Sequence, residues 1–195
     1  MVLVRVADRA KLQVLESDDT GSRLVYDGEE YRIALPGGHQ VMNTLTVLSI
    51  VAQLREGGLE LPECAVKAGL EAAAITGRLQ VVRQRPKCII DGAHNPGKVG
   101  ALCAALDSLY PGRPVIAVMG MMNRKDFRTA VPLLAKRCRI FIAVPAADDM
   151  PQIVQPETIA EVAREHCADV RVCASAEEGA RLAVKLAGDG DVLAA

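Results

Sequence analysis

The chain has few aromatic residues and almost no net charge. Aromatic side chains make up 3% of its 195 residues and tryptophan is absent, which argues against base-stacking platforms and aromatic membrane belts. The 23 Lys and Arg residues against 24 Asp and Glu leave a formal net charge of -1, too little to attract nucleic acid or an anionic membrane. We therefore expect no nucleic-acid partner and no membrane partner.

Long apolar runs and paired cysteines are missing as well. No stretch approaches the ~20 apolar residues of a membrane span, and the amino terminus is too charged for a signal peptide. The six cysteines are scattered, and no two have the two-residue spacing of a zinc or redox pair. These absences predict reduced core thiols, no metal site in this chain and a soluble cytoplasmic protein.

Apolar residues are nevertheless abundant, at 50% of the chain with 24% charged, so a sizeable core is expected and disorder is excluded. The first part of the chain alternates between apolar and polar positions, which predicts an antiparallel meander over residues 1–36. Two helices are predicted next, over residues 39–55 and 62–74, from apolar positions at helical spacing. The meander strands are KLQVLES, SRLVYDG and EEYRIAL.

After Gly77 the pattern changes to strands alternating with amphipathic helices. This alternation predicts an α/β fold with a mainly parallel, Rossmann-like sheet covered by helices on both faces. The predicted strands are RLQVVRQ, KCIID, PVIAVMG, RIFIAVP, VRVCA and DVLAA, and the predicted helices span residues 96–109, 126–136, 156–166 and 175–187. Since DVLAA reads as a buried strand with nothing after it, we interpret the chain as a piece of a longer protein.

The segment DGAHNP at residues 91–96 carries the most informative chemistry. KCII places Asp91 at the carboxyl end of a predicted parallel strand, where open α/β sheets bind ligands. Asn95 is a plausible helix cap and Pro96 suits the first helical position. A carboxylate there can accept both hydroxyls of a ribose, and His94 can reach the same crevice. The alternative, that Asp91 and His94 are ordinary polar loop residues, carries equal weight on local grounds.

DGAHNP is preceded by GRLQ at residues 77–80 and by GHQVMN at residues 38–43. In this order and spacing the three motifs resemble the carboxyl-terminal part of the folylpolyglutamate synthase and dihydrofolate synthase family, ATP-dependent ligases related to the Mur ligases. The resemblance runs from about Gly21 to the end. It implies that residues 1–76 are the tail of a central ATPase domain. Residues 77–195 would be a Mur ligase-like carboxyl-terminal α/β domain, truncated at its last strand.

The resemblance also implies roles for four residues. Asn43 matches an asparagine that binds adenine, and Arg78 matches an arginine that reaches the ATP phosphates. Asp91 matches the carboxylate that binds the ribose, and His94 matches a histidine between the nucleotide and the incoming glutamate. Without the resemblance, Asn43 would be interpreted as an exposed or interhelical amide and Arg78 as a solvated strand residue.

A fourth matching segment follows PVIAVMG. Lys125 and Asp126 agree with the family, and Lys125 is a candidate for binding the nucleotide, although a helix cap beside a solvated lysine explains the pair equally well. Three positions depart from the family pattern. Arg124 stands in place of an acidic residue, Thr76 in place of proline, and Gln80 in place of glutamate.

The family's phosphate-binding loop, a Gly-rich segment with Lys and Ser or Thr, does not occur in this chain. By resemblance, the complete enzyme uses ATP and Mg²⁺ to phosphorylate a carboxylate of folate or dihydropteroate, and L-glutamate then attacks the acyl phosphate. The Mg²⁺ ligands are expected in the missing amino-terminal ATPase domain, which would be the physical partner. The isolated chain is expected to be inactive.

Two other functions remain open from the sequence. The chain could be an interaction or regulatory module that keeps the fold without the chemistry. A dinucleotide-binding oxidoreductase domain is disfavoured, because DGAHNPG does not supply the G-x-G-x-x-G turn that such domains use.

Overall fold

In the computed structural model, which describes residues 7–146 and 152–195, the chain divides between Arg78 and Leu79. The first unit is Met1–Arg78 and the second is Leu79–Ala195. Residues 1–6, the start of the predicted meander, lie outside the described residues.

The first unit contains the predicted antiparallel meander, in the order β1-β2-β3. Its strands are β1 (Leu12–Asp18), β2 (Gly21–Tyr26) and β3 (Glu29–Ile33). Tyr26 pairs with Glu29, so Asp27 and Gly28 form a two-residue hairpin loop, and both have positive φ angles, 52° and 86°. That conformation matches the twist of the flanking strands, and Asp-Gly is a residue pair that adopts it readily.

Two helices, α1 (Gly38–Glu56) and α2 (Glu63–Glu71), pack on this sheet. The buried side chains of their shared core are Leu24, Tyr31, Ile33, Val41, Leu48, Val66 and Leu70. Helix α2 ends at Glu71, three residues before the end predicted at residue 74. Leu70 is its last buried residue and Ala72 and Ala74 are exposed, so no packing stabilises another turn.

The second unit contains a six-stranded sheet in the order β4-β5-β9-β6-β7-β8. Its strands are β4 (Gln80–Gln84), β5 (Lys87–Ile90), β6 (Val115–Met119), β7 (Cys138–Ala143), β8 (Asp169–Val172) and β9 (Val192–Ala194). Five strands are parallel, and β4 pairs with β5 in the antiparallel direction at one edge. The predicted fold class is thus confirmed.

Helices cover both faces of this sheet. They are α3 (Pro96–Leu109), α4 (Phe127–Ala135), α5 (Pro156–Arg164) and α6 (Ala176–Leu186). Alternate residues of β6 divide between the two faces: Val115 and Ala117 pack with α3, α4 and α5, whereas Ile116 packs in the cluster that contains Ala183 of α6. Within the described ranges, none of the helices combines the length and apolar character that a membrane crossing requires.

The three-residue strand β9 lies in the middle of the sheet, between β5 and β6, and all its residues are buried. The buried Asp191 precedes it. Its Oδ2 accepts hydrogen bonds from Arg139 Nη2 at 2.6 Å and from the Gly188 amide at 2.8 Å. Arg113 Nη2 donates to the Asp191 carbonyl at 3.0 Å. These bonds fix the entry into β9, which brings Ala195 to the carboxyl edge of the sheet.

Candidate functional site

The candidate site begins at the carboxyl edge of the central parallel strands. The Asp91 amide, directly after β5, donates to the Ala195 carbonyl at 2.7 Å, and the Ala195 amide donates to the Ile89 carbonyl at 3.0 Å. Gly120 follows β6 at the same edge. Loops at this edge form the ligand crevice in open α/β sheets.

The Asp91 carboxylate is held by one backbone bond. Its Oδ2 accepts the amide hydrogen of Leu79 at 2.9 Å, and the residue is half-buried. Among the described residues, no hydrogen bond to its Oδ1 occurs. The carboxylate is therefore oriented by the protein and retains acceptor capacity for a hydroxyl group of a ligand.

His94 lies three residues further along the same loop. Its Nδ1 is 2.8 Å from the Gly92 carbonyl oxygen, which can only accept, so Nδ1 carries the hydrogen. In the neutral ring, Nε2 then presents its lone pair, and Lys98 Nζ lies 3.4 Å from it. Lys98 was not among the residues predicted from the sequence. Its position four residues after His94, in the first turn of a helix, was the available signal.

Helix α3 starts from this loop, as predicted. Asn95 is the residue before its first turn, and its side-chain oxygen accepts the Lys98 amide hydrogen at 2.9 Å. Pro96 has no amide hydrogen, so Gly97 is the first residue of the helix whose amide can point outward. The loop therefore combines a carboxylate, an imidazole, an ammonium group and a helix amino terminus.

The loop after β6 contains Lys125 and Asp126. Asp126 caps α4, because its Oδ1 accepts the Thr129 amide hydrogen at 3.1 Å. Lys125 is half-buried, and within the described residues its ammonium group makes no hydrogen bond or ion pair, while Arg124 is exposed. The capping interpretation thus explains Asp126. The ammonium group of Lys125, at the same sheet edge, could contact a ligand.

This loop is held close to its neighbours. A Cβ atom at Gly120 would lie 2.7 Å from both the Cα and the amide nitrogen of Ala146. The backbones at Gly120 and Ala146 are therefore too close together for any side chain at position 120. The Asn123 amide donates to the Gln152 carbonyl at 2.9 Å, and the Val154 amide donates to the Met121 carbonyl at 2.8 Å. The position of Lys125 is therefore set by backbone contacts.

Asn43 and Arg78 belong to the first unit. Asn43 is exposed on α1, and its Nδ2 donates to Oε1 of the buried Gln40 at 2.9 Å, so the neighbouring glutamine orients the amide. Arg78 is half-buried, and its Nη1 donates to the Gly77 carbonyl at 3.2 Å.

Helix α1 has apolar residues on two opposite faces. One face is buried in the core of the first unit, and the other carries Val47, Ile50 and Leu54, which are 41%, 51% and 44% exposed. With Asn43, these residues form a line at helical spacing, which we call the apolar stripe of α1. A helix that is apolar on both sides is typical of one covered by polypeptide on both sides.

The six cysteines differ in burial. All six are free thiols in described residues; Cys167 and Cys173 are buried, and Cys64 is exposed, contrary to the expectation of core placement. Burial raises the pKa of Cys103 to about 11 and also raises the pKa of Cys138, so both remain protonated near neutral pH. Among the described residues, no group of three or more His, Cys, Asp or Glu side chains could hold a metal ion.

Residues 77–195 match the family described as Mur ligase, glutamate ligase domain. Dihydrofolate synthase/folylpolyglutamate synthase of Escherichia coli (strain K12) is 40% identical over 76 residues, which cover 39% of this chain and 18% of that protein.

Two solved structures match a larger part of this chain. Mycobacterium tuberculosis folylpolyglutamate synthase, solved with ADP and AMPPCP, gives a TM-score of 0.79 at 25% identity, covering 95% of this chain and 45% of that one. The bifunctional folylpolyglutamate synthase/dihydrofolate synthase of Yersinia pestis c092, solved with AMPPNP and a Mn ion, gives 0.70 at 26% identity, covering 95% and 42%. The chain thus spans less than half the length of these relatives.

Proposed function

Because the chain belongs to the Mur ligase family, through a glutamate ligase domain over residues 77–195, we propose that it is the carboxyl-terminal part of an ATP-dependent ligase. The complete enzyme would join L-glutamate to folate or dihydropteroate through an acyl phosphate. The resemblance to folylpolyglutamate and dihydrofolate synthases, in sequence and in fold, supports this substrate class.

The observation that carries the proposal is the half-buried Asp91 carboxylate at the carboxyl edge of the parallel sheet. One of its oxygens is fixed by the Leu79 amide, and the other has no hydrogen bond among the described residues. A carboxylate held in this way can accept the hydroxyl hydrogens of a ribose without first being reoriented. In this proposal Asp91 binds the ribose of ATP.

The other residues would act on the rest of the nucleotide and on the amino acid. Asn43 would bind adenine, since one amide both donates and accepts, and Arg78 would stabilise charge on the transferred phosphoryl group. Lys125 supplies a half-buried cation for phosphate. His94, whose Nε2 lies 3.4 Å from Lys98 Nζ, would help to place L-glutamate.

Tight ATP binding by such an enzyme requires more than this chain contains. The chain lacks a phosphate-binding loop, and Mg²⁺ would be held by ligands outside the described residues. We infer that a polypeptide carrying that loop packs on the apolar stripe of α1. The stripe's Val47, Ile50 and Leu54 are exposed, and such a contact would bury them.

Calorimetric titration of the purified chain with ATP and Mg²⁺ tests the nucleotide site. Weak binding is expected for the wild type, and Asp91→Ala and Asn43→Ala should each weaken it at least about tenfold, which is the effect of losing a hydrogen bond of 1.4 kcal/mol. Asn123→Ala is the matched control, since this exposed side chain makes no hydrogen bond within the described residues. If the two site variants bind like the wild type, the residue assignments are wrong.

Mixing experiments test the complete reaction. The chain alone should not incorporate L-glutamate into dihydropteroate with ATP. Addition of the amino-terminal part of the Escherichia coli relative should restore incorporation, and Ile50→Asp in the apolar stripe should reduce it. If that polypeptide binds the chain but nucleotide does not, the result would favour an interaction module that keeps the fold without the chemistry.

A further inference from the structure

The backbone of residues 77–79 adopts an unusual conformation. Gly77 and Leu79 both have positive φ angles, 68° and 45°, on either side of Arg78. Glycine adopts this conformation readily, but leucine does so at a cost because its Cβ crowds the backbone. The Leu79 side chain is only 2% exposed and packs in the main core of the second unit. Strain of this kind persists where surrounding contacts fix the backbone.

One of those contacts is Asp91. Its Oδ2 accepts the Leu79 amide hydrogen at 2.9 Å, and the neighbouring Gln80 pairs with Ile90 at the start of the β4–β5 ladder. The bond therefore joins the loop after β5 to Leu79, the residue directly before β4. It fixes the peptide group that directly follows Arg78.

We propose that Asp91 is a positioning residue for the backbone next to Arg78, in addition to binding the ribose. The same carboxylate then serves two donors, the Leu79 amide and the ribose hydroxyls. A bound nucleoside would immobilise the carboxylate and so strengthen the order of residues 77–79. This coupling rests on the proposed nucleotide site, whereas the backbone bond does not.

Amide hydrogen exchange of the full chain, followed by NMR, tests the positioning role without ligand. Asp91→Ala should speed exchange of the Leu79 amide about tenfold, because the amide loses its acceptor. Asp91→Asn keeps a side-chain oxygen as acceptor and should stay within about threefold of the wild type. Asp126→Ala, which removes a carboxylate that caps a different backbone amide at the same sheet edge, should leave Leu79 unchanged.

Two results would overturn the positioning role. One is unchanged exchange of Leu79 in Asp91→Ala. The other is faster exchange that is no greater at Leu79 than at Val81 and Ile89, which would show general loss of stability. If Asp91→Ala does not fold, Asp91→Asn decides the matter, because failure to protect Leu79 with an acceptor still present would contradict the role.

Ligand addition tests the coupling. Millimolar adenosine should slow exchange of the Leu79 amide at least about threefold in the wild type but not in Asp91→Ala. 2′,3′-Dideoxyadenosine, which lacks both ribose hydroxyls, should have little effect. If adenosine shifts the NMR signals of residues 91–98 without slowing Leu79, the coupling is wrong and the nucleotide site stands. If adenosine shifts no signals, the proposed nucleotide site is wrong. The positioning role is then still tested by the exchange rate of the Leu79 amide without ligand.

Discussion

Replacement of Gly120 by alanine should destabilise the second unit because no space exists for a methyl group. The added Cβ would lie 2.7 Å from the Ala146 Cα and 2.8 Å from the Pro145 carbonyl carbon. Carbon atoms in ordinary contact are about 3.5–4.0 Å apart, so the two segments would have to separate by about 0.8 Å. Both of these atoms belong to the backbone and cannot rotate away. Overpacking of this kind costs about 1–3 kcal/mol of unfolding free energy.

Gly100→Ala is the matched control for this prediction. Gly100 lies in the interior of α3, and a Cβ there would meet nothing within 4 Å. The same substitution should therefore stabilise the protein by about 0.5–1 kcal/mol, because alanine loses less conformational freedom in a helix than glycine. The two variants change the chain by the same methyl group, yet their effects should have opposite signs.

Urea unfolding, combined with amide exchange of β6 and β7, measures both variants within the second unit. Gly120→Ala should lower the unfolding midpoint and speed exchange in these strands, and Gly100→Ala should raise the midpoint. A midpoint for Gly120→Ala at or above that of the wild type would refute the inference that the loop carrying Lys125 is fixed by close backbone contact.

Two further predictions concern a buried tyrosine and a helix cap. The Tyr31 hydroxyl donates to Glu63 Oε1 at 2.6 Å, so Tyr31→Phe should reduce the unfolding free energy by about 1–2 kcal/mol, with Tyr26→Phe as a control that loses only an exposed bond. Burial and this hydrogen bond raise the pKa of Tyr31 above its ordinary value of 10.0. The unfolding free energy of the wild type should therefore fall as pH rises above 10. Urea midpoints measured against pH should show a smaller fall in Tyr31→Phe. Asn95→Ala should lower the unfolding free energy by about 1 kcal/mol in thermal melts, while Asn95→Ser, which keeps a capping oxygen, should restore most of it; equal losses in both would contradict the capping role.

Features determined by neighbouring residues were predictable from the sequence. The Asp27 and Gly28 hairpin, the Asn95 cap and the alternation of strands and helices all depend on residues a few positions apart, and the structure contains each of them. The placement of Asp91 after a strand at the sheet's carboxyl edge follows from the same local pattern.

Features that depend on distant residues were not predictable. The order of strands places β9 between β5 and β6, although it is the last strand of the chain. The bond between Asp91 and Leu79 joins residues twelve positions apart across a hairpin with an irregular register, and no local pattern reveals it. The thiol of Cys64 is exposed because it lies on a short helix that buries only Val66 and Leu70.

The central place of β9 has a consequence for biosynthesis. Strands β4 and β5 form one part of the sheet and β6, β7 and β8 form another. Among the described strands, β9 alone bonds the two parts together. While the ribosome still holds residues 192–194, these parts cannot join through β9, and both present unpaired strand edges. We therefore expect these edges to be prone to wrong pairing until β9 emerges and bonds to both parts.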